Sequence, residues 1–285
     1  MERLLIAGCG ALGNGLGALL ESAPTRVFGL RRNVAALHPS IEGISADLSQ
    51  AMAPLPAVDA LVYTATPAER TEAAYRSAYV DGLRHVLQAL PGPVQRIIYV
   101  SSTSVLADSA GEWIDENTPA NPPSATAAIL REGECLALEH GATVLRFAGI
   151  YGPKRLWMLR TASQQDLQCN IDPPQWTNRI HEYDCIRAIH HLLTIDQPDS
   201  LYHGVDDEPA TRYAVLSWLR EQLNLPAPGQ SNGVDQNATA TSQQAQATGK
   251  ATGKRLRNDK LKATGWQPEY PNFRTGYADT LAQAG

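Results

Sequence analysis

The sequence predicts an α/β fold in which a doubly wound parallel sheet is joined to a smaller C-terminal lobe. Two observations lead to this prediction: short apolar runs alternate with helix-like stretches as far as Gly149, and the alternation loosens beyond that residue. Strands that alternate with helices are typical of parallel βαβ units, in which helices cover both faces of one sheet. The 285 residues are enough for one sizeable core with a smaller lobe appended.

The predicted elements follow one another in a regular order. The predicted strands are RLLIAG at 3–8, RVFGL at 26–30, a strand just before SADLS at 45–49, VDALVYTA at 58–65, VQRIIYVSS at 94–102 and ATVLRFAG at 142–149. Helices are predicted from Leu12, over 73–90 and within NPPSATAAILREGE at 121–134. Beyond Gly149, helical spacing returns at 183–195 and 212–223, with the short strand SLYHGV at 200–205 between them.

Residues 227–254 differ in composition from the rest of the chain. They are rich in Gln, Ala, Thr and Gly and hold almost no large apolar side chain. Such a segment cannot bury enough surface to offset the entropy lost on ordering, so we expect a mobile loop there. Order is expected to resume in KRLRNDKLKATGW at 254–266.

The overall composition argues against several classes of partner. The chain has a net charge of -5, whereas a nucleic-acid-binding domain normally has a strong excess of basic residues. We therefore expect no nucleic-acid partner. A membrane-spanning helix needs about 20 apolar residues, and no apolar run in the sequence approaches that length, so we expect no membrane partner. The four cysteines form no CxxC motif, and we expect reduced thiols, no metal site and a cytoplasmic protein.

The stretch AGCGALG at 7–13 has the G-x-G-x-x-G spacing of a dinucleotide-binding loop. It follows a predicted strand and opens a predicted helix, which is the context that gives this short motif its meaning. Gly8 permits a tight turn, Gly10 lets the backbone approach a pyrophosphate, and Gly13 allows close packing of helix on strand. The amides at Ala11 and Leu12 then begin the helix whose positive end faces the phosphates. We therefore expect a Rossmann-type sheet.

The end of the second strand indicates which nicotinamide cofactor binds. An NAD-binding protein usually carries a carboxylate there, whereas this chain has Arg31 and Arg32. Two guanidinium groups can hold a 2′-phosphate through charge-assisted hydrogen bonds, so we predict NADP(H) as the cofactor. The alternative is that both arginines are solvated surface residues. Asp47 is expected to meet the adenine edge or to cap a helix, and Thr64 to contact the cofactor.

With these features placed, the chain resembles the short-chain dehydrogenase/reductase superfamily, and specifically its extended and atypical branches of the NAD-dependent epimerase/dehydratase type. The resemblance covers nearly the whole chain and rests on AGCGALG at 7–13, GLRR at 29–32, IIYVSSTSV at 97–105, LRFAGIYGP at 145–153 and NRIHEYD at 178–184. It implies an NADP-binding Rossmann domain over 1–150. Residues 151–285 would form the substrate lobe and return a helix and a strand to the sheet.

The resemblance also implies a set of site residues. In such proteins a hydroxyl at the end of the fifth strand binds the substrate carbonyl or hydroxyl, which here is Ser102. The loop after the sixth strand lies against the nicotinamide and the substrate, which implicates Phe147, Gly149, Ile150 and Tyr151. The NRIHEYD stretch closes the site, with Arg179 or His181 reaching a ligand; the alternative for His181 is a packed side chain.

Both catalytic side chains of the family's Tyr-x-x-x-Lys motif are missing from this chain. Family members carry this motif on the helix predicted within 121–134, with a glutamate four residues after the lysine. Aligning that glutamate with Glu134 places Thr126 at the tyrosine position and Leu130 at the lysine position. Arg131 is adjacent, but one position along a helix it points about 100° away. A threonine hydroxyl is far too weak an acid to replace the phenol. Candidate proton donors are then Tyr151, His181 or a water molecule held by Ser102.

Three functions are therefore open at the level of sequence. The first is an NADP-dependent oxidoreductase or epimerase-like enzyme acting on a small carbonyl, hydroxyl or imine substrate. The second is a non-catalytic NADP(H)-binding sensor or interaction protein, and a scaffold with a vestigial pocket is a third and weaker alternative. Related proteins often dimerise through two helices, so a homodimer is expected, although Ile129, Leu136 and Leu138 fit packing on the sheet equally well.

Overall fold

A computed structural model describes residues 1–230 and 249–284. The strands are β1 (Arg3–Ala7), β2 (Arg26–Arg31), β3 (Ile41–Ser45), β4 (Ala60–Tyr63), β5 (Arg96–Ser102), β6 (Trp113–Ile114), β7 (Thr143–Phe147), β8 (Gly149–Tyr151), β9 (Gln168–Cys169), β10 (Trp176–Thr177), β11 (Arg179–His181), β12 (Leu201–Gly204), β13 (Ala210–Thr211), β14 (Gly229–Gln230) and β15 (Arg255–Leu256).

Helices alternate with the longer strands. They are α1 (Ala11–Leu19), α2 (Glu72–Arg76), a π segment (Ser77–Asp81), α3 (Gly82–Ala89), α4 (Ala125–Glu139), α5 (Trp157–Ala162), α6 (Glu182–Thr194), α7 (Arg212–Gln222), α8 (Asp259–Ala263) and α9 (Phe273–Ala284). Short 3₁₀ turns follow β2 at Val34–Ala36 and β5 at Thr103–Val105. The helix predicted over 73–90 is therefore interrupted by a π segment.

The described residues form a seven-stranded sheet in the order β3-β2-β1-β4-β5-β7-β12. The pairs β1–β2, β1–β4, β2–β3 and β4–β5 are all parallel. This is the doubly wound arrangement in which the strand order reverses beside β1, and ligands of such sheets bind at the carboxyl ends of the strands around that point. The predicted α/β fold with a Rossmann-type parallel sheet is confirmed.

Local sequence explains why the central elements form. All four residues of β4 are buried, as expected for a parallel strand that is covered on both faces. The α4 helix begins after Ser124, whose hydroxyl accepts the Ala127 amide at 3.2 Å and so caps the helix. Of the apolar residues on this helix, Ile129 is buried and Leu136 packs against the core of the sheet. Packing inside the chain thus accounts for these side chains.

The described chain divides into two compact units. The first consists of Met1–Val105, Ala120–Arg146 and Cys185–Tyr202, and the second consists of Leu106–Pro119, Phe147–Asp184 and His203–Gly285. The first unit holds the core of the sheet, with Leu5, Leu61 and Tyr99 among its fully buried side chains. The domain limits inferred from the family resemblance stay a prediction.

The second unit is built from short paired strands and helices. The strands β8 and β11 pair in parallel, and this register sets His181 beside Tyr151. Three shorter pairs, of two residues each, are β10 with β13, β14 with β9, and β15 with β6. A separate apolar cluster forms its core and includes Leu216, Phe273 and Tyr277.

The predicted mobile loop at 227–254 falls mainly on residues 231–248, which lie outside the described residues. Its described flanks differ from that expectation, because Gly229–Gln230 pair with Gln168–Cys169 and Thr252 forms a bridge with Gln175. Backbone pairing holds these flanks in place, and Pro228 and Thr252 within them are buried. Over residues 1–230 and 249–284, no helix combines the length and apolar composition required to cross a membrane.

Candidate functional site

The glycine loop forms a tight turn between β1 and α1. Gly8 has a φ of 74°, and a β-carbon at this position would lie 2.5 Å from the backbone of Ala65. The Gly10 amide donates to the Gly8 carbonyl at 2.7 Å. A β-carbon on Gly13 would lie 2.9 Å from Ile6, so α1 packs directly on β1. The loop therefore brings bare backbone to the carboxyl end of the sheet.

The start of α1 leaves its first amides free for an anion. The first bond within the helix runs from the Asn14 amide to the Gly10 carbonyl at 2.9 Å, and Gly10 supplies no capping side chain. The amides of Ala11, Leu12 and Gly13 precede that bond and have no acceptor within the helix. Together with the helix dipole, they form a suitable site for phosphate.

A cleft of about 420 Å³ opens beside this loop. All of its lining residues belong to the first unit: Gly8, Cys9, Gly10, Arg31, Arg32, Asn33, Ala46, Asp47, Leu48, Ser49, Ala65, Thr66, Pro67, Ala68, Ala74, Ser77 and Ala78. The volume lies within the range of cofactor and small-molecule sites. The lining comes from the ends of β1 to β4 and from the helix after β4, where a doubly wound sheet binds its ligand.

Both predicted arginines line the cleft. The Arg31 guanidinium donates through Nη1 to the Cys9 carbonyl at 3.1 Å, which holds the side chain over the glycine loop. Arg32 is exposed and contributes to the field that acts on Asp47. Burial raises the pKa of the Cys9 thiol to about 11, so the cysteine of the loop is a neutral packing residue.

Of the two further residues predicted to contact the cofactor, Asp47 lines the cleft and Thr64 does not. Asp47 lines the cleft, and its Oδ1 accepts the Ser49 amide at 3.0 Å. That hydrogen bond holds the pKa of Asp47 below its ordinary value. It closes a turn, and no helix lies between Ser45 and Ala60 in the described chain, so the helix cap that was one alternative for Asp47 is wrong. Thr64 is buried below the loop and donates to the Gly8 carbonyl at 3.1 Å. Thr64 thus supports the glycine loop, and the cleft is lined by the residues that follow it.

Several lining residues were missed by the sequence reasoning. They lie in the loops after β1 to β4 and on the helix that follows β4: Cys9, Asn33, Ala46, Leu48, Ser49, Ala65, Thr66, Pro67, Ala68, Ala74, Ser77 and Ala78. The position rule for doubly wound sheets could have identified those that directly follow a strand, because ligands meet the carboxyl ends of the strands. No motif in the sequence indicates the residues on the helix.

Replacing Gly8 with alanine should lower the free energy of unfolding by about 2 kcal/mol, because alanine disfavours a positive φ and its methyl group would overlap the backbone of Ala65. Urea denaturation measures this loss. The matched control is Gly92→Ala, since a β-carbon at Gly92 meets no atom within 4 Å. Equal stability of the two variants would show that the loop tolerates a side chain.

The predicted substrate hydroxyl lies at the end of β5 in the first unit. Ser102 is half-buried, and its Oγ accepts the Ser104 amide at 3.2 Å, which leaves its proton available for a ligand. The neighbouring Ser101 is buried, and its hydroxyl donates to Oε1 of Glu134 at 2.6 Å. Of the two adjacent serines, Ser102 is therefore the one that can reach a substrate.

The helix that carries the family's catalytic pair has neither a phenol nor a free cation at those positions. The Thr126 hydroxyl lies 3.1 Å from that of Ser124 in the first turn of α4. Leu130 is only 1% exposed and belongs to the core. The Arg131 guanidinium donates to Glu134 at 2.8 Å. Arg131 is thus tied to a structural carboxylate and does not replace the missing lysine.

Tyr151 and His181 come together in the second unit. Their ring centroids are 5.3 Å apart, and Tyr151 also stacks on Tyr277 at 4.3 Å. The Tyr151 hydroxyl has no hydrogen-bond partner among the described residues, and burial raises the pKa of this phenol well above its usual value, with the buried Asp206 carboxyl acting in the same direction. These contacts favour a packing role for Tyr151 over that of a proton donor.

His181 is also buried, at 2% exposure. Its Nδ1 accepts the Tyr183 amide at 3.3 Å, which assigns the proton to Nε2. Nε2 lies 3.8 Å from the nearest carboxylate oxygen of Asp279, too far for a hydrogen bond. Burial lowers the pKa of His181, so the neutral ring dominates at neutral pH. Of the other residues implicated by the resemblance, Phe147 is buried, Ile150 is half-buried and Gly149 is exposed.

Replacing Tyr151 with phenylalanine should leave the protein at least as stable as the wild type. The change removes a buried hydroxyl that has no partner among the described residues, and deleting such a group relieves its desolvation penalty. Thermal unfolding tests this expectation. A substantial loss of stability would mean that the hydroxyl has a bound partner, such as a buried water molecule. Retained turnover by the same variant would assign the proton donor to another group.

Comparisons with known proteins agree with this architecture, although no protein-family model matches the sequence. A Methylobacillus flagellatus structure, provisionally described as an NAD-dependent epimerase/dehydratase, is similar with a TM-score of 0.77 and 31% identity, over 99% of this chain and 98% of that one. Escherichia coli K12 protein YeeZ is 28% identical over 258 residues, 82% of this chain and 89% of YeeZ.

A more distant structure shares the fold alone. The Bordetella bronchiseptica enzyme WbmG, solved in complex with NAD, has a TM-score of 0.75 at 15% identity and is covered over 93% of its length by 98% of this chain. The seven-stranded sheet, the glycine loop and the likeness to the Methylobacillus protein lead to one conclusion. The chain belongs to the NAD-dependent epimerase/dehydratase-like proteins of the short-chain dehydrogenase/reductase superfamily.

Proposed function

We propose that this protein is an NADP-dependent oxidoreductase or epimerase-like enzyme that acts on a small carbonyl, hydroxyl or imine substrate. One observation carries the proposal: the cleft beside the glycine loop is lined by Arg31 and Arg32 at the end of β2, where an NAD-binding protein usually has a carboxylate. WbmG was solved with NAD, so the preference for NADP is the part of the proposal that is specific to this chain.

The residues of the cleft, with the first turn of α1 beside it, would suit a nicotinamide dinucleotide. The free amides of Ala11, Leu12 and Gly13 would hold the pyrophosphate, and Gly8 leaves room for its close approach. Arg31 and Arg32 would hold a 2′-phosphate through charge-assisted hydrogen bonds. The single carboxylate in the lining, Asp47, follows β3, so the end of β2 itself offers no carboxylate for the ribose 2′-hydroxyl.

The bound cofactor would supply the hydride, and the chain's own residues would orient the substrate. Ser102 would donate a hydrogen bond to a substrate oxygen, since its Oγ accepts the Ser104 amide and keeps its own proton free. Loss of general acid–base catalysis lowers a rate by about 10²- to 10⁴-fold, or about 3–5 kcal/mol. Correct positioning of the reacting groups can contribute about 7–11 kcal/mol. Slow turnover without the Tyr-x-x-x-Lys pair is therefore compatible with the chemistry.

A second candidate function is a non-catalytic NADP(H)-binding sensor or interaction protein. It is favoured by one specific observation, which is that Thr126 and the buried Leu130 stand where the family has its acid and its cation. In this alternative the cleft binds the nucleotide and a partner protein detects the bound state. The two functions share the cofactor site and differ only in turnover.

Equilibrium titrations of the purified protein with NADPH and NADH test the shared part of the proposal. Tight binding with a clear preference for NADPH is expected. Failure to bind either nucleotide would reject both candidate functions together. Tight binding without oxidation or reduction of any compound in a carbonyl, alcohol and imine panel would favour the sensor.

Where turnover is found, Ser102→Ala should reduce it by about 10- to 100-fold, because the substrate oxygen loses a hydrogen-bond donor in the reacting position. The matched control is Ser104→Ala, an exposed serine two residues later. Steady-state rates for both variants are the measurement. Unchanged turnover in Ser102→Ala would exclude the serine from catalysis.

A further inference from the structure

The helix after β4 departs from α-helical hydrogen bonding at the π segment Ser77–Asp81. The Gly82 amide donates to the Ser77 carbonyl, five residues earlier, instead of to the Ala78 carbonyl four residues earlier. In a regular α-helix the Ala78 carbonyl would accept that bond. π turns of this kind are rare and occur frequently at functional sites.

A buried tyrosine takes the place of the missing amide. The Tyr63 hydroxyl donates to the Ala78 carbonyl at 2.5 Å, and the Tyr63 side chain is fully buried at the end of β4. Burial raises the pKa of this phenol far above its usual value, so the hydroxyl keeps the proton that it donates. The last residue of a central strand thus holds the carbonyl that the π turn releases.

Gly82 leaves the space that this contact needs. A β-carbon at position 82 would lie 2.6 Å from the Tyr63 hydroxyl oxygen and 2.9 Å from the Ser77 carbonyl oxygen. Alanine is the better residue for a helix interior, so a glycine here calls for a packing reason. The close approach of Tyr63 to the backbone of the helix supplies that reason.

The same π segment forms one wall of the nucleotide cleft. Ser77 and Ala78 line the cleft together with Ala74 one turn earlier. We propose that Tyr63 is a positioning residue for the cofactor, which fixes the π segment as a cleft wall by holding the Ala78 carbonyl. This inference rests on the proposed function, because it assigns the cleft to a nicotinamide dinucleotide.

The chain contains a matched control for this residue. Tyr99 is also fully buried and stacks on Tyr63, with ring centroids 5.6 Å apart and 6° between the ring planes. Its hydroxyl donates to the Tyr79 carbonyl at 3.1 Å, in the same π segment. Tyr79 is not among the residues that line the cleft in the described part of the chain. The two tyrosines therefore differ in whether the carbonyl that they hold belongs to the cleft wall.

The experiment compares NADPH binding by wild type, Tyr63→Phe and Tyr99→Phe. We expect Tyr63→Phe to weaken NADPH binding by about five- to tenfold and Tyr99→Phe by less than twofold, with similar shifts in their unfolding midpoints. Equal affinities for the two variants, in a protein whose wild type binds NADPH, would overturn the positioning role alone. A wild type that binds neither NADPH nor NADH would overturn the proposed function and this inference with it.

A second variant tests the same contact from the helix side. Gly82→Ala should also weaken NADPH binding, because its methyl group would displace the Tyr63 hydroxyl from the Ala78 carbonyl. In the double variant Tyr63→Phe/Gly82→Ala, the removed hydroxyl gives space to the methyl group. The combined loss of affinity should then be smaller than the product of the two single losses. A Gly82→Ala protein that is more stable than wild type and binds NADPH equally well would overturn the proposal, even if Tyr63→Phe failed to fold.

Discussion

Replacing both Arg31 and Arg32 with alanine is expected to weaken NADPH binding by about 100- to 1,000-fold and to leave NADH binding nearly unchanged. Each charge-assisted hydrogen bond contributes about 1.5–3 kcal/mol, and every 1.4 kcal/mol changes a dissociation constant tenfold. NADH lacks the 2′-phosphate that these bonds would hold, so its affinity depends on the glycine loop. Titrations of both nucleotides against the double variant measure the effect.

The strand that leads to these arginines also supplies the control. Arg26 begins β2, is exposed, and pairs with Glu42 at 2.7 Å outside the lining of the nucleotide cleft. Arg26→Ala should therefore bind NADPH as the wild type does. Equal losses of affinity for NADPH and NADH in the variant without Arg31 and Arg32 would contradict the assignment. They would indicate damage to the glycine loop through the loss of the bond from Arg31 to Cys9.

Much of the sheet could be predicted from the sequence, because a buried parallel strand has a simple signature. The four residues of β4 are all apolar or aromatic and all buried, and glycine-rich and polar stretches separate such runs. The alternation of these runs with helices determines the doubly wound class. The glycine loop was identifiable because its residue types follow from backbone geometry, as the φ of 74° at Gly8 illustrates.

The remaining parts of the site could not be predicted, because they depend on contacts between distant residues. A π turn shifts one hydrogen bond and leaves the apolar spacing of 73–90 almost unchanged, so the sequence gives no sign that Ser77 faces the cleft. Likewise, the family motif predicts a ligand-facing role for Tyr151 and gives no indication that this side chain stacks on Tyr277 in α9. The burial of that hydroxyl becomes apparent only in the folded chain.

A buried ionic network joins α4 to two strands of the sheet. Glu134 is 0% exposed, and its two oxygens accept bonds from the Arg146 guanidinium at 2.8 and 2.7 Å. Ser101 at the end of β5 and Arg131 one turn earlier on the helix donate at 2.6 and 2.8 Å. Glu134 is the residue that the family motif places on this helix, and its hydrogen bonds explain why a carboxylate is needed there. The carboxylate is the acceptor around which β5, β7 and α4 are held together.

Replacing Glu134 with glutamine is therefore expected to lower the free energy of unfolding by about 3–5 kcal/mol, because it leaves the buried Arg146 guanidinium without a counter-charge. Chemical denaturation measures the loss. The matched control on the same helix is Glu132→Gln, whose pair with Arg76 is bidentate but exposed, so the midpoint should hardly move. Equal midpoints for the two variants would contradict the structural role of the buried pair.

Removing both buried charges together is expected to restore stability. This variant therefore separates the cost of an unpaired charge from the loss of packing. The double variant Glu134→Leu/Arg146→Met leaves no fully buried ion, because Arg131, the other partner of Glu134, is 35% exposed and can be solvated. Apolar side chains of similar volume often replace a buried pair without loss of stability. Most of the stability lost in Glu134→Gln should therefore return. If the double variant were as unstable as the single one, the hydrogen bonds from Ser101 and Arg131 to Glu134 would carry the stability instead of the pairing with Arg146.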